Sequence, residues 1–570
     1  MSHTLATPVA KPNGETQFIE SARSPDQKFD FTTVDENLIT IEGEDKVRLQ
    51  RFNVHPLARH SLTLGNSKIN GYTTYLSCIA SISGFLFGWD TAVIGGALGN
   101  IGTGLGGRLL TATEQEWAVA SLSAGAMIGA LVGGTYSDTI GRKPVLIIGD
   151  GCFVIGAVLL CSSYGLAQFI VGRIVMGFGV GIAAVVCAVY IGELAPYKVR
   201  GKLVAIQSVA ITGGQCIANG VSAGLDKTHN GWRILFAISL PFAIGQAVAM
   251  HFLPESPRFD VVIGRQDRAR NTLERIYPSA NEREIDLKLK AIQLTADLSN
   301  SLKKQHPSIK KRLGIILSTG RYRRCVSVAA GLFIVQQLCG FNTLLYYSSV
   351  LFGAVGFSNP SAVGILVSGV NALMSVVSMF TMDRVGRRRI FLIGVPIMTI
   401  ALAIAAVAFS EMTKPTGGRL ITTQADQYNK SWVGLMLGMM VLFIIGYAPS
   451  LGTLAYTSIE LIPLEIRGMG SAIAISFQWG SNVLLSATFL TLMNHAGPAG
   501  AYAVYCSICF IGFVFIFFCY PEPSGLSLEE TATLFVDGYG VKKAGELRRA
   551  HAQIRSGEGS IGDDFNPSEK

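Results

Sequence analysis

Twelve stretches of the chain are apolar over enough residues to cross a bilayer, and polar loops separate them. They lie near 72–98, 117–136, 145–163, 166–189, 203–222, 233–253, 328–353, 361–382, 390–410, 433–458, 470–493 and 500–520. Inside lipid a helix satisfies its own backbone, so the pattern predicts an all-α membrane protein with twelve transmembrane helices. A polar block, 254–324, basic and partly of helical period, divides the spans six and six. The expected organisation is a six-helix bundle over 69–253, a cytoplasmic helical linker over 254–324 and a second six-helix bundle over 325–520. Residues 1–68 are polar, without a clear hydrophobic period or an apolar signal-type stretch, and read as a disordered cytoplasmic tail. Residues 521–570 read as a second cytoplasmic tail.

Charge placement orients the spans. The chain has a mean hydropathy of +0.41 and a net charge of +9 with only 15% charged residues. In a soluble protein that excess would suggest a nucleic-acid partner; here the cations gather in alternate loops, and none is expected. Arg142 and Lys143, Lys198 to Lys202, the 254–324 block, Arg384 to Arg389 and Arg467 all fall on one side. Both termini are therefore expected in the cytoplasm of a multi-pass cell-membrane protein. The ten cysteines lie in or beside apolar segments with no Cys-x-x-Cys, and read as packing residues rather than disulfides or metal ligands. No metal or cofactor is expected. Asn429-Lys430-Ser431 is an acceptor sequon on the opposite side, close to the tenth span.

The seventh span carries unusual chemistry. Gln336, Gln337, Asn342, Tyr346 and Tyr347 sit inside an otherwise apolar run, where polar groups face a cavity or a partner helix. In a continuous helix Gln336, Gly340, Thr343 and Tyr347 would share one stripe, with Asn342 and Tyr346 beside it. Neutral amides and phenols suit an uncharged polyhydroxylated ligand better than an ion. The residues alone also allow polar contacts between helices.

The two halves repeat. Asp138-Thr-Ile-Gly141-Arg142 after the second span recurs as Asp383-Arg-Val-Gly386-Arg387 after the eighth. Glu193-Leu-Ala-Pro196 with Arg200 after the fourth recurs as Glu460-Leu-Ile-Pro463 with Arg467 after the tenth. Paired motifs at equivalent places imply duplicated bundles. The acids and arginines, Asp138, Arg142, Glu193, Arg200, Asp383, Arg387, Glu460 and Arg467, read as a cytoplasmic gate, or as static staples of their loops. Gly125, Gly129 and Gly133 on the second span, and Gly177 and Gly181 on the fourth, form small-residue packing ridges.

Together with Gly172-Arg173, Pro254-Glu255-Ser-Pro-Arg258 and Pro521-Glu-Pro-Ser-Gly525, these motifs resemble the sugar porter family of the major facilitator superfamily over about 72–530. Ile211-Thr-Gly-Gly-Gln215, FSNPSAVGILVSGVN from Phe357 to Asn371, and Cys519-Tyr-Pro-Glu-Pro-Ser-Gly-Leu make the resemblance greatest to fungal proton-coupled myo-inositol transporters. The resemblance implies a major facilitator fold and a monomer. It places the substrate site on Gln207, Gln215, Gln336, Gln337, Asn342, Tyr347, Asn371, Trp479 and Asn482. In the tenth span, where the family usually has Pro-Trp five to six residues before the Glu, this chain has Leu454-Ala455, followed by Tyr456. One helical position displaces Tyr456 by roughly 100° from the usual aromatic.

Asp90 lies in the first span and Arg173 inside the fourth. An isolated charge at mid-bilayer costs roughly 2.5–3.5 kcal/mol, so the two are expected to pair. Sugar porters coupled to protons carry an acid at this position of the first span; the resemblance thus assigns Asp90 and Arg173 to proton coupling, against a static ion pair. The implied function is uptake of myo-inositol or a similar polyol by proton symport through alternating access, with a small neutral solute, protons and the bilayer as partners. A hexose or other sugar symporter and a non-transporting nutrient sensor are the alternatives. An enzyme is not expected, because no His-Glu-x-x-His, Gly-x-Ser-x-Gly or paired catalytic carboxylates occur and amides are poor acid-base groups.

Overall fold

The computed structural model describes residues 70–290, 292–293, 309–357, 359–421, 428–463, 466–524, 526, 531 and 533–556. The tail expected over 1–68 lies outside the described residues. Among those described, every regular element is helical, and ten helices are long and apolar enough to span a membrane. Two further observations bring the passes to twelve. The fifth span, Tyr197–Leu225, is a helix of 29 residues whose many Gly, Ser, Thr and Gln residues lower its hydropathy. The helix Arg467–Cys519 turns at Gly497, whose φ of 69° lies in the left-handed region, with Pro498 next. Glycine tolerates that φ and proline withholds an N–H, so one apolar run becomes the eleventh and twelfth spans.

The remaining spans are Gly71–Ile101, Ala112–Ile140, Arg142–Cys161, Leu166–Leu194, Gly231–Phe252, Gly320–Tyr346, Pro360–Met382, Arg387–Thr416 and Lys430–Leu461. Local sequence fixes several of their ends. Thr111 and Glu114 form a reciprocal capping box at the second span, satisfying helix donors that have no partner of their own. Gly141 and Gly386 turn the chain between the second and third and between the eighth and ninth spans, with φ of 106° and 94°. The repeated motif thus repeats a backbone conformation that glycine adopts readily.

The glycine ridges face each other. A Cβ on Gly125 or Gly129 would lie 2.1 Å from the carbonyl oxygen of Ile174 or Phe178, and one on Gly177 or Gly181 within 2.0 or 2.1 Å of that of Leu122 or Ala126. Second and fourth spans therefore pack backbone to backbone. The two halves meet along the second and eleventh spans and along the fifth and eighth, with the first lying against the broken outer part of the seventh. Ile148, Ile155, Phe242, Val248, Ile393, Phe510 and Phe518 are exposed, as side chains facing lipid are.

In the linker, Gln266–Ile276 buries Ala269, Thr272, Leu273 and Ile276, a spacing that keeps one helical face inward. Leu273 and Ile276 join Leu76, Val145, Tyr190 and Met250 in one apolar cluster. The linker thus docks on the face of the first bundle that carries the arginine-rich loops, called here the basic face. On the second bundle, Arg324 donates to the carbonyl oxygens of Phe535 and Val536 at 2.9 and 2.7 Å and ties down the chain after the twelfth span.

Candidate functional site

The seventh span is not the continuous helix that its hydropathy suggests. It runs from Gly320 to Leu338, breaks at Gly340 with φ 95°, continues as Phe341–Tyr346 and restarts at Ser348. The single stripe expected from Gln336 to Tyr347 is therefore divided. Backbone of this irregular kind survives at membrane depth where surrounding helices enclose it. The break turns both amide and phenol side chains toward neighbouring spans.

A connected amide cluster results. Gln337 Oε1 accepts from Asn342 Nδ2 at 2.5 Å and from Asn482 Nδ2 of the eleventh span at 2.6 Å. Asn482 Oδ1 accepts from Ser123 Oγ of the second span at 2.7 Å, and its amide donates to the Tyr346 hydroxyl at 3.3 Å. Gln336 receives the Gln337 amide at 3.4 Å and donates to the carbonyl of Gly452 at 3.4 Å. A second bridge joins the halves where Asn371 donates to Gln215 at 3.0 Å. Gln207 instead stays within the first half, donating to the carbonyl of Ala183 at 3.3 Å. Tyr347 donates to the Ser486 carbonyl at 2.6 Å, which makes it a brace between the seventh and eleventh spans. Trp479 packs on Phe87 across the interface, ring centroids 5.8 Å apart, and its buried Nε1 has no hydrogen-bond partner.

Tyr456 takes a different place from the one a regular helix gives it. The tenth span passes through a wide π turn at Ala448–Gly452 and a tight 3₁₀ segment at Ala455–Leu461. Pro449 lies in the wide turn and has no N–H for the helical ladder. Tyr456 then accepts a hydrogen bond from Gln478 Nε2 at 2.6 Å and meets Phe333 edge-on at 5.4 Å. An aromatic with a polar tip therefore stands among the seventh, tenth and eleventh spans, while Ala455 is buried.

Asp90 and Arg173 are both buried, but they do not form the expected carboxylate–guanidinium pair. Arg173 Nη1 donates to the main-chain oxygen of Asp90 at 3.1 Å and Nε to that of Ala118 at 3.3 Å. Both carboxylate oxygens of Asp90 and Nη2 of Arg173 are left without hydrogen-bond partners. The guanidinium is held by two carbonyl oxygens, a neutral arrangement that leaves the acid free to change its protonation without breaking a contact.

At the basic face Arg142 donates to Asp138 Oδ1 at 2.9 Å and Glu193 Oε1 at 3.1 Å, while Ser256 donates to the same Glu193. Arg387 pairs with Glu460, and Arg467 donates to the carbonyl of Ile462 at 3.1 Å. Each of these contacts stays inside one half, so none of them bridges the two halves. The side chains of Arg200 and Asp383 lie outside the described residues. Glu255 accepts from the main-chain N–H of Arg142 and Lys143 at 3.1 and 3.2 Å. Glu522 does the same for Arg387 and Arg388 at 3.1 and 3.0 Å. Each carboxylate caps a helix N-terminus, where donors and the helix dipole favour a negative charge. Burial pushes the Glu255 carboxyl above its ordinary value, and the N–H donors of Ser256, Lys143 and Arg142 work against that rise.

Residues 76–535 match the family described as sugar (and other) transporter. The chain belongs to that family. Among relatives of this transporter, myo-inositol transporter 1A of Cryptococcus neoformans var. grubii is 45% identical over 500 residues, 87% of this chain and 88% of the relative. Myo-inositol transporter 1 of Saccharomyces cerevisiae is 36% identical over 512 residues, 90% and 87% of the two chains. The fold matches the proton:xylose symporter XylE bound to 6-bromo-6-deoxy-D-glucose, with a TM-score of 0.67 and 26% identity over 82% of this chain and 100% of that one. The major facilitator fold is thereby established. A transporter rather than an enzyme is what the family consists of.

Ser123 and Tyr346 bond to Asn482 in the interface cluster, and Gln478 holds Tyr456 within the second half, yet the assignment made from sequence did not include them. Only Tyr346 had a local signal, its place in the polar seventh span. Glu255 and Glu522 had a clear one, a Pro-Glu pair following the sixth span and again the twelfth.

Proposed function

We propose that this transporter carries myo-inositol into the cell together with a proton, by alternating access. The observation that carries the proposal is the neutral cluster of Gln337, Asn342, Asn482 and Ser123, which bridges the two halves with amide and hydroxyl groups. A cyclic polyol offers a ring of hydroxyls that both donate and accept, and such groups can exchange for the internal hydrogen bonds of this cluster. The myo-inositol transporters among the relatives support the choice of solute, and the proton symporter among the fold neighbours supports coupling. Gln207, Gln215, Gln336, Asn371, Trp479 and Tyr347 are the rest of the proposed site.

Asp90 is the coupling acid. Its carboxylate has no donor in this conformation, and a charge without partners is costly to bury, so the state seen here suits the protonated acid. Opening the site to water hydrates the carboxylate and lets the proton leave. Arg173 fixes the first span beside the fourth through the main chain of Asp90. The ion pairs of the basic face hold the shape of each half while the halves rock as bodies.

The basic face lies in the cytoplasm and the chain resides in the cell membrane with both termini inside, as loop cations direct. The division at 69–253, 254–324, 325–520 and 521–570 follows the repeat. One chain holds both halves of the interface, so a monomer suffices. The experiment is uptake of labelled myo-inositol by cells without their own carriers, with glucose as competitor and with or without a protonophore. Concentrative uptake that collapses with the protonophore and resists glucose is expected. Uptake of glucose in place of inositol would overturn the choice of solute, and binding without uptake would identify a sensor.

A further inference from the structure

Contacts between the halves extend beyond the middle of the membrane toward the face opposite the basic loops. There Ser361 of the eighth span donates to Asp226 at the end of the fifth, 2.9 Å away, and Ser349 of the seventh donates to the carbonyl of Gly95 in the first. The third contact is of another kind. Glu116, one turn into the second span and only 2% exposed, accepts the main-chain N–H of Thr491 on Oε1 and its hydroxyl on Oε2, both at 2.7 Å. Thr491 stands less than two turns before the break at Gly497 that ends the eleventh span. A glutamate is an expensive group to bury in a membrane helix. Here both of its oxygens are satisfied by a single residue of the other half.

We propose that Glu116 is the outer latch of this transporter. On the alternating-access reading, its grip on Thr491 holds the outer face closed while the site is open toward the basic face. The grip has to be released each time the site turns outward. Release places the carboxylate in water, which replaces the two lost donors, so the latch is strong enough to bias the halves yet reversible. It is separate from the coupling acid: Asp90 has no donor on either oxygen, whereas Glu116 has one on each. Removing the latch shifts the population of the full-length chain toward the outward-open state by about tenfold, the scale of one charge-assisted hydrogen bond.

The test uses the full chain in lipid nanodiscs with Ser349→Cys as reporter, since Ser349 lies in the outer contact between the first and seventh spans. A charged thiol reagent measures its labelling rate, after subtraction of the rate of the chain that keeps Ser349. Glu116→Ala and Thr491→Val are expected to raise the rate, the former about tenfold. The double variant is expected to go no higher than Glu116→Ala. Glu116→Gln retains an oxygen for the N–H and stays nearer the parent. Gly95→Trp is the reference that forces the outer face apart: even a Cβ at Gly95 would lie 2.3 Å from the carbonyl of Leu345 and 2.9 Å from Ser348 Oγ. If Gly95→Trp raises labelling but neither Glu116→Ala nor Thr491→Val does, the latch is wrong and alternating access stands. Strictly additive effects of the two substitutions would also overturn it. If Gly95→Trp leaves labelling at the parent rate, alternating access fails and the latch with it.

Discussion

Asp90→Asn is the substitution whose outcome the structure constrains most. Neither carboxylate oxygen has a hydrogen-bond partner, and Arg173 holds the main-chain oxygen of residue 90 rather than its side chain. The amide therefore fills the same volume, keeps the Arg173 contact and breaks no bond. What it removes is the ability to carry a proton. One proton crossing 100 mV is worth about 2.3 kcal/mol, enough to sustain roughly fiftyfold accumulation of a neutral solute. In proteoliposomes with an imposed potential, the parent chain should approach that ratio, and Asp90→Asn should stop near equal concentrations inside and out. Exchange of labelled for unlabelled inositol across the same membranes should survive, because the amide cluster is untouched. Accumulation by Asp90→Asn that still follows the potential would refute the assignment of the coupling acid.

Gln337→Ala should weaken the apparent affinity for inositol by about fivefold or more, since the amides of Asn342 and Asn482 both lose their acceptor; the concentration dependence of uptake reads this, and its pH dependence should not change. Glu255→Ala should lower the thermal stability of the purified chain by about 1–2 kcal/mol, as loss of a helix cap does, and Glu522→Ala should do the same in the other half. Glu255→Gln should cost less: the raised carboxyl value means that the charged form is less favoured here than in water, so the side chain contributes most when protonated, below the ordinary glutamate range, and this contribution fades as pH rises through the folded value. Tyr456→Phe frees the Gln478 amide that now donates to the phenol; inositol affinity should fall about fivefold while folding, followed by thermal melting, changes little.

The membrane helices were readable because length and apolarity fix a membrane helix almost alone. Repeats of Gly141 and Gly386, or of Glu193 and Glu460, were readable because duplication preserves spacing. The glycine ridges of the second and fourth spans likewise announced a close approach. What sequence could not supply was the partner of each polar group. Ser123 and Asn482 are 359 residues apart along the chain, and Glu116 and Thr491 are 375 apart; no local period records such pairings. Pairing Asp90 with Arg173 by charge alone also misjudged the geometry, because a guanidinium can be held by carbonyl oxygens in place of a carboxylate. The seventh span failed in another way: Gly340 looked like a small residue on a stripe, but its left-handed φ breaks the helix on which that stripe was drawn.

The repeat and the site divide the molecule differently. At the basic face the halves match closely, with Gly141 and Gly386 at equivalent turns and Glu255 and Glu522 capping equivalent helices. In the middle they do not match. The first half supplies the buried acid Asp90 and the cation Arg173, whereas the second supplies Gln336, Gln337, Asn342 and Asn482. Coupled transport requires that occupancy by one solute alter the cost of moving the other. On the proposed assignment, proton chemistry sits in the first half and most of the hydroxyl recognition in the second, with Ser123, Gln207 and Gln215 as the first half's share, so that information passes through bonds between the halves. Asn482 is placed to carry it, because it holds Gln337 on one side and Ser123 of the first half on the other. A polyol that takes the place of Asn482 on Gln337 therefore also alters the contact with the second span, which packs beside Arg173 through Ala118. A substitution at Ser123 that removes its hydroxyl, Ser123→Ala, should accordingly loosen coupling more than it weakens solute binding.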